Sequence, residues 1–235
     1  LRREAQFGTF PAMQKIVVNR PPAGLLLPRL CLLTNRFMTI GQPLPRIVSN
    51  CAKAGVRLAI LGETDLAPWV ALELAEKLVT LMHQQGGRLL VSERADLAHL
   101  AGADGVLIAS GSLPAQRLKK IVGRRAMIGL FVRHHQELEG ASLQDIDFIL
   151  AGNTFPADDL NAPVESEPLA RLRQLTTVCP VPIIAAGGMT PQRAPLALEA
   201  GAYGIAMSEA AMESLNIGLL VKAFNRAIES IEARV

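Results

Sequence analysis

Val181–Ala211 reads VPIIAAGGMTPQRAPLALEAGAYGIAMSEAA, and this stretch decides the fold. Val181, Ile183, Ile184, Ala185 and Ala186 form a short apolar run, the mark of a buried strand. Gly187-Gly188 closes the run, and Thr190-Pro191 reads as a helix start. After one helix's worth of residues, Gly201-Ala202 leads into a second strand, Tyr203 to Met207. Two parallel strands joined by a helix make a βαβ unit. A glycine pair at the carboxyl end of a strand leaves backbone N–H groups open to an anion. In an eightfold βα barrel, the loops after strands seven and eight are the usual phosphate site. The fold therefore turns on whether six βα units precede Val181.

Six can be read. The first strand is Arg29–Thr34, and Pro45 opens a helix that runs to Ala54 and stops at Gly55. Strand two, Val56–Leu61, leads to a long helix over Ala67–Gln85, with Val70, Leu74, Leu78 and Leu81 on one face. Strand three is Arg88–Ser92 and its helix Ala95–Leu100; strand four is Val106–Ala109, with a helix from Pro114 to Gly123. Strand five, Ala126–Val132, precedes a helix over His134–Glu139. Strand six, Phe148–Ala151, is followed by a loop over Asn153–Pro163, long for a βα connection and so suggestive of function. A helix over Pro168–Thr177 completes the sixth unit, and a final amphipathic helix covers Ile217–Ala233. Eight alternations at roughly 26 residues each predict a single-domain (β/α)8 TIM barrel over residues 29–235. A doubly wound open sheet is the alternative, but no GxGxxG follows the first strand. Residues 1–28, broken by Pro11, Pro21 and Pro22, read as an N-terminal arm or linker. The chain begins at Leu1 rather than Met, which suggests a processed chain or the tail of a longer fusion.

Half of the 235 residues are hydrophobic and only 4% aromatic, which suits aliphatic α/β packing. The net charge of +3 is spread among interspersed acids and bases, so no nucleic-acid partner is expected. No apolar run reaches the roughly 20 residues of a membrane span. Cys31, Cys51 and Cys179 are widely spaced, lack CxxC spacing and read as buried small hydrophobes. With no secretory h-region at the N-terminus, a reducing, cytoplasmic location is expected.

Six blocks in order resemble the thiamine phosphate synthase / TenI family over Arg29–Met212. They are LCLLTNR, LAILGETDL, VSERADLA, GADGVLI, AGNTFP, and AAGGMTP with GAYGIAMSEA. The resemblance implies the joining of an aminopyrimidine diphosphate to a thiazole phosphate, with release of pyrophosphate and help from Mg²⁺. It also shows replacements. The family's diphosphate Arg falls at Gly62, its Lys at Thr64, and its Asn-Asp pair at Ser92-Glu93. The second metal Asp falls at about Ser112 and a loop Lys at about Leu160. Mg²⁺ is thus expected only if synthase chemistry is retained, with Glu93 as its carboxylate. The TenI branch implies a metal-free tautomerisation of a thiazole phosphate, which needs a base, an acid and a phosphate site. A non-catalytic binding or regulatory domain is the third possibility.

The candidate acid–base residues are Glu63, Glu93 and His134; the TenI branch's His falls at Arg133, so His134 requires a one-residue slip. Gly187, Gly188 and Ser208 form the phosphate site, with Ser208 capping the next short helix. Thr34, Thr64, Arg94, Arg133, Asn153 and Thr154 are expected to line the substrate pocket. Two readings stand for several of these. Glu63 could pair with Arg94 or cap a helix. His134 could be an exposed residue at a helix start. Glu209 could repel a phosphate or simply complement a helix dipole. The expected ligand is a small phosphorylated heterocycle, thiazole phosphate or thiamine phosphate, in a protein able to form homo-oligomers.

Overall fold

The computed structural model describes residues 20–138, 142–155 and 167–233. Eight parallel strands close a barrel in sequence order: β1 (Leu30–Leu33), β2 (Leu58–Leu61), β3 (Arg88–Ser92), β4 (Gly105–Ala109), β5 (Met127–Val132), β6 (Phe148–Ala151), β7 (Ile183–Ala186) and β8 (Gly204–Met207). Closure is made by β1 against β8, with Cys31 opposite Ala206. Around it lie α1 (Leu44–Lys53), α2 (Pro68–His83), α3 (Ala95–Leu100), α4 (Ala115–Val122), α5 (Glu167–Val178), α6 (Ala194–Glu199), α7 (Glu209–Met212) and α8 (Ile217–Glu232). No helix among the described residues is long and apolar enough to cross a membrane.

The strands are apolar on both faces because both faces are covered. One set of alternating side chains, including Cys31, Leu58, Ile60, Leu90, Phe148 and Ile184, fills the barrel interior. The other set, including Leu32, Ala59, Val106, Ile149 and Ile205, packs against the helices. Glycine makes room for the aromatic rings inside: a Cβ on Gly129 would lie 2.4 Å from the Phe148 ring. All three cysteines are free and buried.

Two expected helices differ. After β5 there is only a 3₁₀ turn, His135–Leu138, in place of a helix over His134–Glu139, whose last residue lies outside the described residues. The segment has no apolar face to bury, and Glu137 Oε1 draws it into a tight turn by accepting the N–H groups of Arg133 and His134 at 2.9 and 3.0 Å. The seventh helix, α6, starts at Ala194 rather than at Thr190, because a turn closed by Thr190 comes first. Of the expected arm, residues 1–19 lie outside the described residues. Residues 20–28 dock under the barrel: Leu27 joins the interior cluster, and the Tyr203 hydroxyl donates to the Leu27 carbonyl at 2.8 Å.

Candidate active site

A cavity of about 590 Å³ opens at the carboxyl ends of the strands. Its walls continue the alternation that fills the barrel. Leu33, Gly62, Ser92, Leu107, Phe131 and Leu150 hold inward positions, and the next inward residues, Arg133, Gly152 and Ser208, reach the mouth. The strand pattern thus delivers one or two side chains per strand to the same space, the usual place for chemistry in such barrels.

Glu63 is the most strongly held of these groups. Its side chain is 7% exposed. Its Oε2 accepts the Thr34 hydroxyl at 2.5 Å and its Oε1 accepts the Arg36 backbone N–H at 2.8 Å. Thr34 in turn accepts the Gly62 N–H at 3.0 Å. Both donors to Glu63 are neutral. The Arg36 guanidinium is committed elsewhere, to both oxygens of Asp65. That pair holds the Asp65 carboxyl below the usual carboxylate range, the hydrogen bonds from Arg36 being the main cause. Glu63 therefore pairs with Thr34 and the chain, and not with Arg94.

Glu93 and Asn153 also face the cavity, and both have left-handed backbones, with φ of 61° and 53°. Non-glycine residues in this region store about 1–3 kcal/mol of strain when the surroundings enforce them. At Glu93 the enforcing bond is its N–H to the Leu107 carbonyl, at 2.8 Å. Ser112 Oγ approaches Glu93 Oε2 at 3.4 Å.

The residues expected to hold a phosphate lie where the β6, β7 and β8 ends meet. Gly187 (φ 94°) lines the cavity, and Gly188 (φ 53°) lies behind it with its carbonyl accepting from Arg193 Nη1 at 2.8 Å. Only glycine fits at 187, where a Cβ would lie 2.8 Å from the Asn153 nitrogen. Ser208 lines the corner and sits at the N-cap of α7, but its side chain makes no capping bond. Glu209 lines the corner too, and its Oε2 is buried with no hydrogen-bond partner among the described residues. An unpartnered carboxylate oxygen beside Gly187 opposes a dianionic phosphate.

Of the pocket residues expected from sequence, Thr34, Thr64, Arg133 and Asn153 line this cavity. Arg133 stacks over Phe131, 5.3 Å from its ring centre. Besides Gly188, three expected site residues lie outside the cavity lining. His134 is exposed, with Nδ1 3.2 Å from Arg171 Nη1 of α5. Arg94 turns along α3 and binds Asp96 at 2.9 and 2.6 Å. Thr154 is buried behind the wall, its hydroxyl donating to the Ala151 carbonyl at 3.3 Å. Leu160 and most of the Asn153–Pro163 loop lie outside the described residues. Asn35, Arg36 and Phe131 were not singled out from sequence as pocket residues, yet they line the cavity. The inward parity of β5 was the available signal for Phe131.

The sequence profile of the family described as thiamine monophosphate synthase matches residues 30–211, the whole strand set of the barrel. The chain belongs to the thiamine monophosphate synthase family. A Geobacter sulfurreducens protein provisionally named a thiamine-phosphate synthase is 34% identical over 181 residues, covering 77% of this chain and 85% of that protein. A thiamine-phosphate synthase of Azorhizobium caulinodans is 28% identical over 204 residues, covering 86% and 95%. Among solved structures, thiamine phosphate pyrophosphorylase from Pyrococcus furiosus superposes with a TM-score of 0.74 at 23% identity, over 86% of this chain and 96% of that one. That likeness concerns the fold.

Membership makes Mg²⁺ a group to test against the residues. The sequence resemblance places the family's two metal positions at Glu93 and at about Ser112, and Ser112 stands next to Glu93. But it brings a hydroxyl that donates to Glu93 in place of a second carboxylate. No group of three or more metal-ligating side chains forms among the described residues. Glu93 and Ser112 together offer one carboxylate and one hydroxyl.

Proposed function

We propose that this chain performs metal-free acid–base chemistry on a small thiazole phosphate of thiamine biosynthesis, a tautomerisation rather than the joining of two heterocycles. The observation that carries the proposal is the setting of Glu63: a buried carboxylate on the cavity wall, fixed by two neutral donors and bonded to no cation. Such a group is positioned to take a proton from a bound ring and return it at another atom, and a placed general base contributes roughly 10²–10⁴-fold in rate. Glu93, at the end of the neighbouring strand, is the second titratable group on the same wall. Gly187 and Ser208 supply the corner for one phosphate.

The charges favour this over diphosphate chemistry. Among the described residues the cavity is lined by two cations, Arg36 and Arg133, against four acids, Glu63, Asp65, Glu93 and Glu209. Arg36 is already taken by Asp65. Each charge-assisted bond to a diphosphate is worth roughly 1.5–3 kcal/mol, so the loss of several is decisive. The synthase reaction is the second reading, favoured by Arg133 at the mouth and by the names of the relatives. A cytoplasmic setting is part of the proposal, as for other steps on soluble phosphorylated intermediates.

The deciding experiment presents purified protein with two assays. In one, the non-aromatic thiazole phosphate tautomer is followed by ultraviolet absorbance in the presence of a chelator. In the other, aminopyrimidine diphosphate, thiazole phosphate and Mg²⁺ are followed for thiamine phosphate. Aromatisation without coupling is expected. Coupling without aromatisation establishes the second reading, and binding without either reaction establishes a regulatory domain.

A further inference from the structure

A second concavity, of about 660 Å³, opens at the amino-terminal end of the barrel, opposite the candidate active site. Arg88 at the start of β3, Lys119 on α4, and Arg124 and Arg125 in the turn between α4 and β5 surround it. Gly24 and Leu25 of the docked lead-in form another wall. Its acids, Asp104 and Asp147, are occupied within the fold. Asp104 Oδ2 takes the Leu89 N–H and lies 2.9 Å from His83 Nε2. Asp147 Oδ2 takes the Ile128 N–H at 2.7 Å. Lys119 reaches Asp145 at 3.5 Å.

Three arginines of this hollow have no partner among the described residues, as several surface arginines do not, but these three share one concavity. Arg29, Arg36, Arg57 and Arg94 each spend their guanidinium on a carboxylate or a carbonyl. The guanidinium groups of Arg88, Arg124 and Arg125 make no ion pair or hydrogen bond among the described residues. Four cations against two lining carboxylates leave the hollow with an excess of positive charge among the described residues. An anion placed between them offsets that excess and gains forked N–H bonds. The amino-terminal face of such a barrel ordinarily serves stability, and no ion pair or hydrogen bond among the described residues uses these guanidinium groups for it. The volume lies within the range of roughly 300–1,000 Å³ typical of small-molecule sites.

We infer that this concavity is a second ligand site, for a small polyphosphate anion of the diphosphate or triphosphate class. It is independent of the reaction proposed for the mouth, because it uses none of the same residues. A hollow with cations on several sides suits a compact polyanion better than an extended nucleic acid, which needs a continuous basic track.

Titration calorimetry with inorganic tripolyphosphate, at low and at raised salt, tests the site. Wild-type protein is expected to bind one equivalent, more weakly as salt rises. The exposed pair Arg124→Gln/Arg125→Gln is expected to weaken binding by roughly tenfold per guanidinium lost. Arg88→Gln is expected to do the same, and if it fails to fold, the exposed pair alone decides. Arg133→Gln at the mouth is expected to leave this binding unchanged. No saturable binding by the wild type, or unchanged binding by the Arg124/Arg125 pair, overturns the site. So does loss of binding in Arg133→Gln alone, which places the ion at the mouth. A single-stranded RNA oligomer that binds more tightly than tripolyphosphate overturns the small-molecule assignment.

Discussion

Thr34 and Glu63 are joined across the ends of β1 and β2: the Thr34 hydroxyl donates to the carboxylate at 2.5 Å while accepting the Gly62 N–H at 3.0 Å. One hydroxyl thus holds two strand ends together and fixes the carboxylate. Thr34→Val keeps the shape but leaves a buried carboxylate oxygen and an N–H without that partner. It is expected to lower stability by about 1–3 kcal/mol in denaturant unfolding. Aromatisation kcat should fall as well. Thr34→Ser, which retains the hydroxyl, should restore most of both.

Gly62 is the position at which the sequence resemblance puts the family's diphosphate Arg. A Cβ there would lie 2.4 Å from the Thr34 carbonyl oxygen. That oxygen belongs to the backbone and cannot swing aside. Gly62→Ala is therefore expected to cost about 1–3 kcal/mol of stability, as overpacking does. Gly62→Arg should be at least as damaging and should not create diphosphate binding. A stable, diphosphate-binding Gly62→Arg variant in calorimetry would refute this.

Glu209 places a buried carboxylate oxygen without a partner beside the phosphate corner. Glu209→Gln removes the charge and keeps the size. Affinity for thiazole phosphate is expected to rise by roughly tenfold, in line with the loss of one nearby like charge at intermediate dielectric. The readout is calorimetric Kd, and a weaker Kd would show that the carboxylate assists binding.

Asp147 gives a pH signature. Burial is the main cause that raises its carboxyl above the usual carboxylate range, against the Ile128 N–H and Lys119, which lower it. An acid with a raised folded pKa binds its proton more tightly when folded. Its stabilisation is complete below the unfolded value and lost as pH rises through the folded one. Asp147→Asn should therefore match or exceed wild-type Tm at neutral pH. That advantage should shrink as pH falls toward about 4, the ordinary carboxylate value. An advantage that grows on acidification would contradict the burial account.

The barrel was legible because every strand is a short apolar run closed by glycine or a polar residue, and both strand faces are covered. The failures, Arg94, His134 and Thr154, fall two or three residues beyond strand ends. Period-two counting from Leu90 through Ser92 points Arg94 inward, but the left-handed backbone at Glu93 breaks the pleat and sends Arg94 to Asp96. In β5 the pleat continues unbroken, so Arg133 reaches the mouth and His134 faces away toward α5. The slip needed to bring His134 inward does not occur. The helix expected at His134 fails for a related reason: one carboxylate, Glu137, captures the turn before a helix can propagate. Gly187 follows β7 at the cavity, as the apolar run ahead of it indicated, whereas the burial of Glu209 Oε2 depends on packing that no local pattern encodes.

In the proposed reaction Glu63 moves a proton without a metal. The most direct test is the steady-state rate of thiazole phosphate aromatisation by Glu63→Gln and wild type, both treated with chelator, alongside calorimetric Kd for thiazole phosphate. Wild-type activity that survives chelation, a roughly 10²–10⁴-fold lower kcat in the variant, and an unchanged Kd are predicted. A wild type silenced by chelator, or a Glu63→Gln variant of undiminished kcat, would contradict the account.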